Sequence, residues 1–334
     1  MNDDPIRRRA DIWSQYWRTG AAHSLGQSSK GYTGDIAGYW TAVFAAQPRG
    51  ACVLDIASGN GPLPRLMLEV EGRADLQCDA VDLAQLAPAW LSQADAEDQA
   101  RVRFHPGCDA AHLPFEPARF DLVVSQWGLE YTDLALAVPE LLRVLKSGGA
   151  VALVVHHAHG QPVQLAKEEL AHLDWLAGAD GPLTCARAVI PLLARASTEK
   201  GREALRADPA AGAQRERFNA AMDALDARAA DSSCPDALND AADHLGALLA
   251  RAGSGEAAGA LLGLDQLISE QRDAALRLSE LVSHAMDETA VRQLALKLVG
   301  RNASETRVPA RYQLGELRAD GALLGWTVEV KRAP

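Results

Sequence analysis

The sequence predicts an α/β fold: a doubly wound, mostly parallel sheet with a large all-helical insertion before its last strands. Three observations carry this. Short apolar runs alternate with helical patterns over residues 51–155, as in parallel sheets whose strands are buried on both faces. Residues 161–300 are rich in Ala, Leu, Arg, Asp and Glu and show no strand pattern. A final strand pattern, GWTVEVKR at 325–332, then resumes the sheet. The expected organisation is a helical cap over 1–49, a sheet core over 50–160, a helical insertion over 161–300 and C-terminal strands over 301–334.

In chain order, Trp13, Tyr16 and Trp17 sit in a short helical pattern, with Trp13 and Trp17 one turn apart on one face. A polar, Gly-rich stretch follows at 18–35, then a second helical pattern at 36–46 and a turn at 47–50. Strands are expected at 51–57, 76–83, 102–108, 120–128 and 150–157. Helices are expected between them at 63–70, 87–99 and 134–146, the last closed by Ser147-Gly148-Gly149. The insertion reads as helices at 163–177, 186–206, 213–229, 236–252 and 264–299, with 264–278 as an amphipathic stripe continued by Leu281 and Val282. Residues 316–320 read as a polar, turn-like segment before the final strand.

Composition narrows the function. The chain has 334 residues, 48% hydrophobic and 23% charged, which is globular and excludes wholesale disorder. Its 44 acids and 33 bases leave a formal charge of −11, which disfavours a nucleic-acid partner. No apolar run reaches the ~18 residues of a membrane span. The opening MNDDPIRRRADIW has no apolar leader segment. The five cysteines are odd in number, widely spaced and form no C-x-x-C pair; a reduced, cytoplasmic chain without structural zinc or disulfides is expected.

The informative stretch is Val53-Leu54-Asp55-Ile56-Ala57-Ser58-Gly59-Asn60-Gly61. A strand enters a Gly-rich turn and a helix follows, so the backbone can approach a ligand closely and its N–H groups face polar or anionic groups. The dinucleotide fingerprint G-x-G-x-x-G is not met, because its sixth position is Pro64. No Gly-Lys-Ser/Thr follows to make a phosphate loop.

Asp55, Gly59 and Gly61 match the first motif of the class I S-adenosylmethionine-dependent methyltransferases, with Ala57 in place of its first glycine. Four further segments follow in the family's order: Asp82-Leu83 ending the second strand, Asp109-Ala110 before Leu113-Pro114-Phe115, Phe120 to Gln126, and Leu141 to Gly149. The chain resembles that superfamily over roughly residues 50–157. The resemblance implies a Rossmann-like core and S-adenosylmethionine as cofactor, with S-adenosylhomocysteine as product. It implies cofactor contacts from Asp55, Ala57, Ser58, Gly59, Asn60, Gly61, Asp82, Leu83, Asp109, Ala110, Ser125 and Gln126. In it Asp55 sits near the ligand amino group, Asp82 accepts from the ribose hydroxyls and Asp109 from the adenine amino group. It also implies an N-terminal lid, hinged at 18–35.

Acceptor-side residues belong at the carboxyl ends of the strands. Strand four ends in Trp127-Gly128-Leu129-Glu130-Tyr131 and strand five in His156-His157-Ala158-His159. His156 or His157 is the side chain suited by pKa to act as a base, and Glu130 is a second candidate. Tyr32, Tyr39, Trp127 and Tyr131 are expected to wall the acceptor site. No metal is expected, because neighbouring strand histidines point to opposite faces. The function expected is methyl transfer to a small-molecule acceptor by in-line displacement. Methylation of a protein and a non-catalytic cofactor-binding subunit are the alternatives, and the helical region could form a homodimer.

Overall fold

A computed structural model describes residues 5–24, 31–300 and 312–332. Parts of the expected hinge (25–30) and of the C-terminal segment (301–311, 333–334) lie outside the described residues. The chain divides into two units: Met1–Val163 with Ser283–Pro334, and Gln164–Val282.

The first unit opens with helices α1 (Pro5–Arg18) and α2 (Gly34–Ala45). The alternation read from the sequence follows: β1 (Cys52–Ile56), α3 (Pro62–Leu68), β2 (Gln77–Asp82), α4 (Ala89–Gln93), α5 (Ala96–Arg101), β3 (Val102–Pro106), β4 (Phe120–Gln126), α6 (Leu134–Val144) and β5 (Leu145–His156). The helical excursion comprises α7 (Gln161–Leu176), α8 (Pro182–Ala196), α9 (Glu199–Arg206), α10 (Pro209–Asp231), α11 (Asp236–Gly253) and α12 (Ala257–His284). The chain returns through α13 (Glu288–Leu298), β6 (Tyr312–Ala319) and β7 (Ala322–Lys331).

The described strands form one seven-stranded sheet in the order β3-β2-β1-β4-β5-β7-β6. β1 to β5 run parallel, and β7 is antiparallel to both β5 and β6. The doubly wound, mostly parallel fold expected from the sequence is therefore present. Side-chain alternation along β1 sends Leu54 and Ile56 into one core, with Val123, Leu141 and Leu294, and Val53 into the other, with Trp40, Phe44 and Met67. Both faces are apolar, which is why the central strands read as continuous apolar runs.

Several boundaries differ from expectation. The helix expected over 87–99 is two, because Ala94 is extended and the Asp95 carboxylate caps α5 by accepting from Asp98 N at 2.9 Å. The pattern at 186–206 likewise breaks at Thr198, whose hydroxyl accepts from Gly201 N. The helix expected over 134–146 stops at Val144. Leu145 is extended and pairs with Phe120 ahead of an irregularity in the β4–β5 register, so Gly148-Gly149 lies at the start of a strand and is not a helix cap. The pattern at 264–299 breaks before Asp287, which caps α13. Residues 316–319, read as turn-like, belong to β6; only Asp320-Gly321, both at positive φ, make the two-residue hairpin.

The second unit is all-helical among the described residues. Its core joins Leu176, Leu183, Ile190, Phe218, Leu225, Leu238, Leu245 and Leu264. The stripe on α12 is buried at Ala260, Leu264 and Leu267. α13 belongs instead to the sheet unit, where Val291, Leu294, Ala295 and Leu298 fill its core, so the helical unit is shorter than the 161–300 read from the sequence.

Candidate functional site

The strand order reverses at β1, between β2 and β4, and open α/β sheets bind ligands outside the carboxyl ends of the strands at such a point. The turn there holds Ala57, Gly59 and Gly61 at φ of 56°, 52° and 75°. Ser58 N donates to Val81 O and Gly61 N to Ser58 O, both at 3.0 Å, which ties the turn to β2 and starts α3. A left-handed backbone at Ala57 costs about 1–2 kcal/mol. Gly128 accommodates it: a Cβ on Gly128 would stand 2.5 Å from the Ala57 Cβ. Trp127, beside that glycine, is also left-handed at φ 51°, unusual for so bulky a residue and characteristic of functional sites.

Three carboxylates surround this turn. Asp82 is buried at the end of β2; its Oδ2 accepts from Gly59 N and its Oδ1 from Ala84 N, both at 2.8 Å. Burial raises its carboxyl to about 6 against those two hydrogen bonds. Asp55 is buried at the end of β1, and its Oδ2 has no hydrogen-bond partner. Burial first, and then the Asp82 charge, push its carboxyl well above the carboxylate range. Asp109 is half-buried, and its Oδ1 accepts from Ala111 N at 2.9 Å.

A cavity of about 390 Å³ opens beside these groups. Of the site residues proposed from the sequence, Ala57, Asp82, Leu83, Asp109, Ala110, Trp127 and Tyr131 line it. Ser58, Gly59, Gln126, Asp55 and Tyr32 surround an adjoining space of about 30 Å³. Trp13, Trp17, Ala57 and Trp127 border both. α1, part of the N-terminal cap expected from the sequence, lines the larger cavity through Ile6, Arg9, Ala10, Trp13 and Trp17, of which Ile6, Arg9 and Ala10 are the ones that sequence reading did not single out. The signal was present, since these positions recur at three- and four-residue spacing and so share one face. Asn60 lines neither space; its amide donates to Trp17 O and Ala21 O and fastens the end of α1 to the turn. Ser125 braces the turn internally, donating to Ile56 O and accepting from Leu129 N.

The three candidate bases do not line either space. His156 is buried, and its backbone N and Nδ1 both donate to Glu130 Oε1, at 2.9 and 2.8 Å. Glu130 Oε2 is buried without a partner. The His156 ring stacks on Trp127 and meets Tyr131 edge-on, so the pair stands behind the cavity wall and touches it through those two rings. His157 stacks on Trp326 and accepts from His159 N at Nδ1, and burial lowers its pKa. Tyr39 is not brought to the site. It borders a separate groove of about 720 Å³ with Tyr312, Gln313, Glu329 and Lys331, where burial and the Glu329 carboxylate raise its phenol. That groove contains neither the glycine turn nor the strand-end carboxylates.

In the helical unit, Glu168, His172 and Cys234 bring possible ligand atoms within 4.8 Å of one another. Arg228 Nε donates to His172 Nδ1 at 2.8 Å, which puts the ring proton on Nε2, facing Ser232 Oγ. A metal-bound histidine needs its second nitrogen to donate, so Arg228 opposes an ion there.

Residues 54–153 match the family model of a methyltransferase domain. The chain is similar to a 2-phytyl-1,4-naphtoquinone methyltransferase of Thermosynechococcus vestitus, 31% identical over 108 residues covering 32% of this chain and 47% of that protein. It is similar to the ubiquinone/menaquinone biosynthesis C-methyltransferase UbiE of Ralstonia pickettii, 32% identical over 143 residues covering 41% and 57%. Among solved structures it is similar to the YcgJ protein of Bacillus subtilis, with 27% identity, coverage of 41% and 57%, and a TM-score of 0.32. The chain spans about half the length of the curated relatives it matches. No described helix is long and apolar enough to cross a membrane.

Proposed function

We propose that this chain is a class I S-adenosylmethionine-dependent methyltransferase, a reading supported by the match of residues 54–153 to a methyltransferase domain, and that it moves a methyl group from S-adenosylmethionine to a small-molecule acceptor. The observation that carries this reading is the 390 Å³ cavity, which joins the strand-end carboxylate Asp82 and the loop carboxylate Asp109 to the aromatic wall of Trp13, Trp127 and Tyr131.

The residues present fit the cofactor. Asp55 offers a buried carboxylate oxygen without a partner, suited to an ammonium group. Each Asp82 oxygen accepts one backbone N–H and keeps lone-pair capacity for a hydroxyl. Asp109 borders the cavity with one oxygen not engaged by Ala111 N. When bound, the cofactor supplies a methyl group already activated on a sulfonium. The work left to the protein is to position the acceptor and exclude water. Trp13, Trp127 and Tyr131 do both, and their ring faces favour a neighbouring cation. Glu130 and His156 act as positioning residues: the carboxylate fixes the imidazole, and the imidazole supports Trp127 and Tyr131. The five free cysteines accord with a reducing, cytoplasmic setting.

The test is calorimetric titration with S-adenosylmethionine and S-adenosylhomocysteine, followed by an acceptor screen with labelled methyl donor. Micromolar binding that is lost in Asp82→Ala supports the reading. A folded wild-type protein that binds neither ligand overturns it.

A further inference from the structure

Two large apolar side chains that line the cavity are exposed, where a protein surface is usually polar. Among the described residues, the large hydrophobic side chains that stand strongly exposed are Ile6 at 56%, Leu136 at 52% and Leu262 at 71%. Leu262 lies in the helical unit. Ile6, from the first turn of α1, and Leu136, from the first turn of α6, both line the 390 Å³ cavity. Single exposed hydrophobic residues need no explanation, but two at the mouth of one cavity do.

Of the polar side chains that line the same cavity, His112 is exposed beside Asp109, while Asp133 and Arg9 are engaged with backbone. Asp133 Oδ1 accepts from Ala135 N at 2.9 Å as the cap of α6. Arg9 Nη1 donates to Tyr131 O at 3.1 Å. The cavity is also small, near the lower end of the ~300–1,000 Å³ range that houses a single drug-sized ligand. A cavity of this size leaves little room beside a bound cofactor, so an acceptor held with it reaches toward the exposed side chains of the lining.

We propose that the acceptor carries an apolar chain that leaves the cavity across Ile6 and Leu136. This rests on the methyltransferase reading of the site. It assigns the division of labour along the cavity: carboxylates at the strand ends for the cofactor, aromatic rings for the acceptor head, and two aliphatic side chains for its tail.

The probe is a series of 4-alkylphenols, from ethyl to octyl, titrated against the protein with S-adenosylhomocysteine present. In the wild type the affinity should rise about two- to fourfold per added methylene, fourfold being the limit for full burial. In Ile6→Ser/Leu136→Ser the series should flatten to near unity per methylene, with the melting temperature reporting that the variant is folded. Leu262→Ser is the control and should keep the wild-type slope. A flat wild-type series, an undiminished slope in the double variant, or a slope lost in Leu262→Ser overturns the proposal. S-adenosylhomocysteine binding is read separately. Its absence overturns the methyltransferase reading, whereas a flat series with that ligand bound overturns the apolar-chain acceptor alone.

Discussion

The indole of Trp17 rests on Gly59: a Cβ built on that glycine would stand 2.6 Å from Cζ2 and 2.7 Å from Cη2 of the ring. The contact fastens α1 over the glycine turn and places the ring at the border of the two spaces of the site. Gly59 also has φ 52°, so a side chain there meets both the ring and a left-handed backbone.

Gly59→Ala should therefore lower stability by about 1–2 kcal/mol from backbone strain alone and weaken S-adenosylhomocysteine binding at least tenfold, as read by calorimetry. Adding Trp17→Ala should restore part of the melting temperature, because the steric component is removed. Strictly additive effects in the double-mutant cycle would contradict the contact.

Cofactor binding should depend on pH through Asp82. Burial lifts its carboxyl to about 6, and the ionised form is the better acceptor of hydroxyl hydrogen bonds. Through this group, affinity should fall toward tenfold per unit as pH drops below that value. Asp82→Asn should bind weakly at pH 8 and lose this dependence.

Asp55 makes stability itself depend on pH. Its folded-state pKa lies above the unfolded value, so the native state holds the proton more tightly. Stability is greatest below the unfolded pKa and falls as pH rises through the window toward the folded one. Asp55→Asn removes the buried charge, and the melting temperature at pH 8 should rise by about 2–4 °C per kcal/mol recovered. Cofactor affinity should drop in the same variant, since the unpartnered oxygen is lost.

Glu130→Ala strands two donors of His156, its backbone N and Nδ1, at about 1–3 kcal/mol each. Glu130→Gln keeps an acceptor oxygen and should cost far less. If the pair positions Trp127, near-ultraviolet circular dichroism should change in the alanine variant and be largely restored in the glutamine one. Retention of the wild-type spectrum by Glu130→Ala would sink the positioning role.

The parts of the site legible in the sequence are those made by backbone. The strand–turn–helix at Asp55 to Gly61 and the strand ends at Asp82, Trp127 and Tyr131 follow from local pattern, because β-strand ends in a parallel sheet all emerge on one side. Side chains on helices were harder to place. Trp13 and Trp17 read equally as packing or as a wall, since both demand one apolar face. Tyr39 and Trp40 are neighbours on α2; Trp40 takes the inward position and donates to Gln126 Oε1, which leaves Tyr39 for the other groove. His156 has the right strand position for a base, but Trp127 stacks on its ring, a long-range contact that no local pattern encodes. The helix breaks at Asp95 and Asp287 are written as capping carboxylates, yet periodicity alone runs straight through them.

The pairing of β5 with β7 sets a timetable for synthesis. Val155 lies opposite Trp326 and Val151 opposite Val330, with the whole helical excursion between them in the chain. At the usual pace of translation, about 5–20 residues per second, β5 leaves the ribosome on the order of ten seconds or more before its partner. During that interval one side of β5 is an open sheet edge, able to accept a foreign strand. A ribosome stalled within the excursion would release a chain with its glycine turn formed and its sheet still open, a substrate for chaperones.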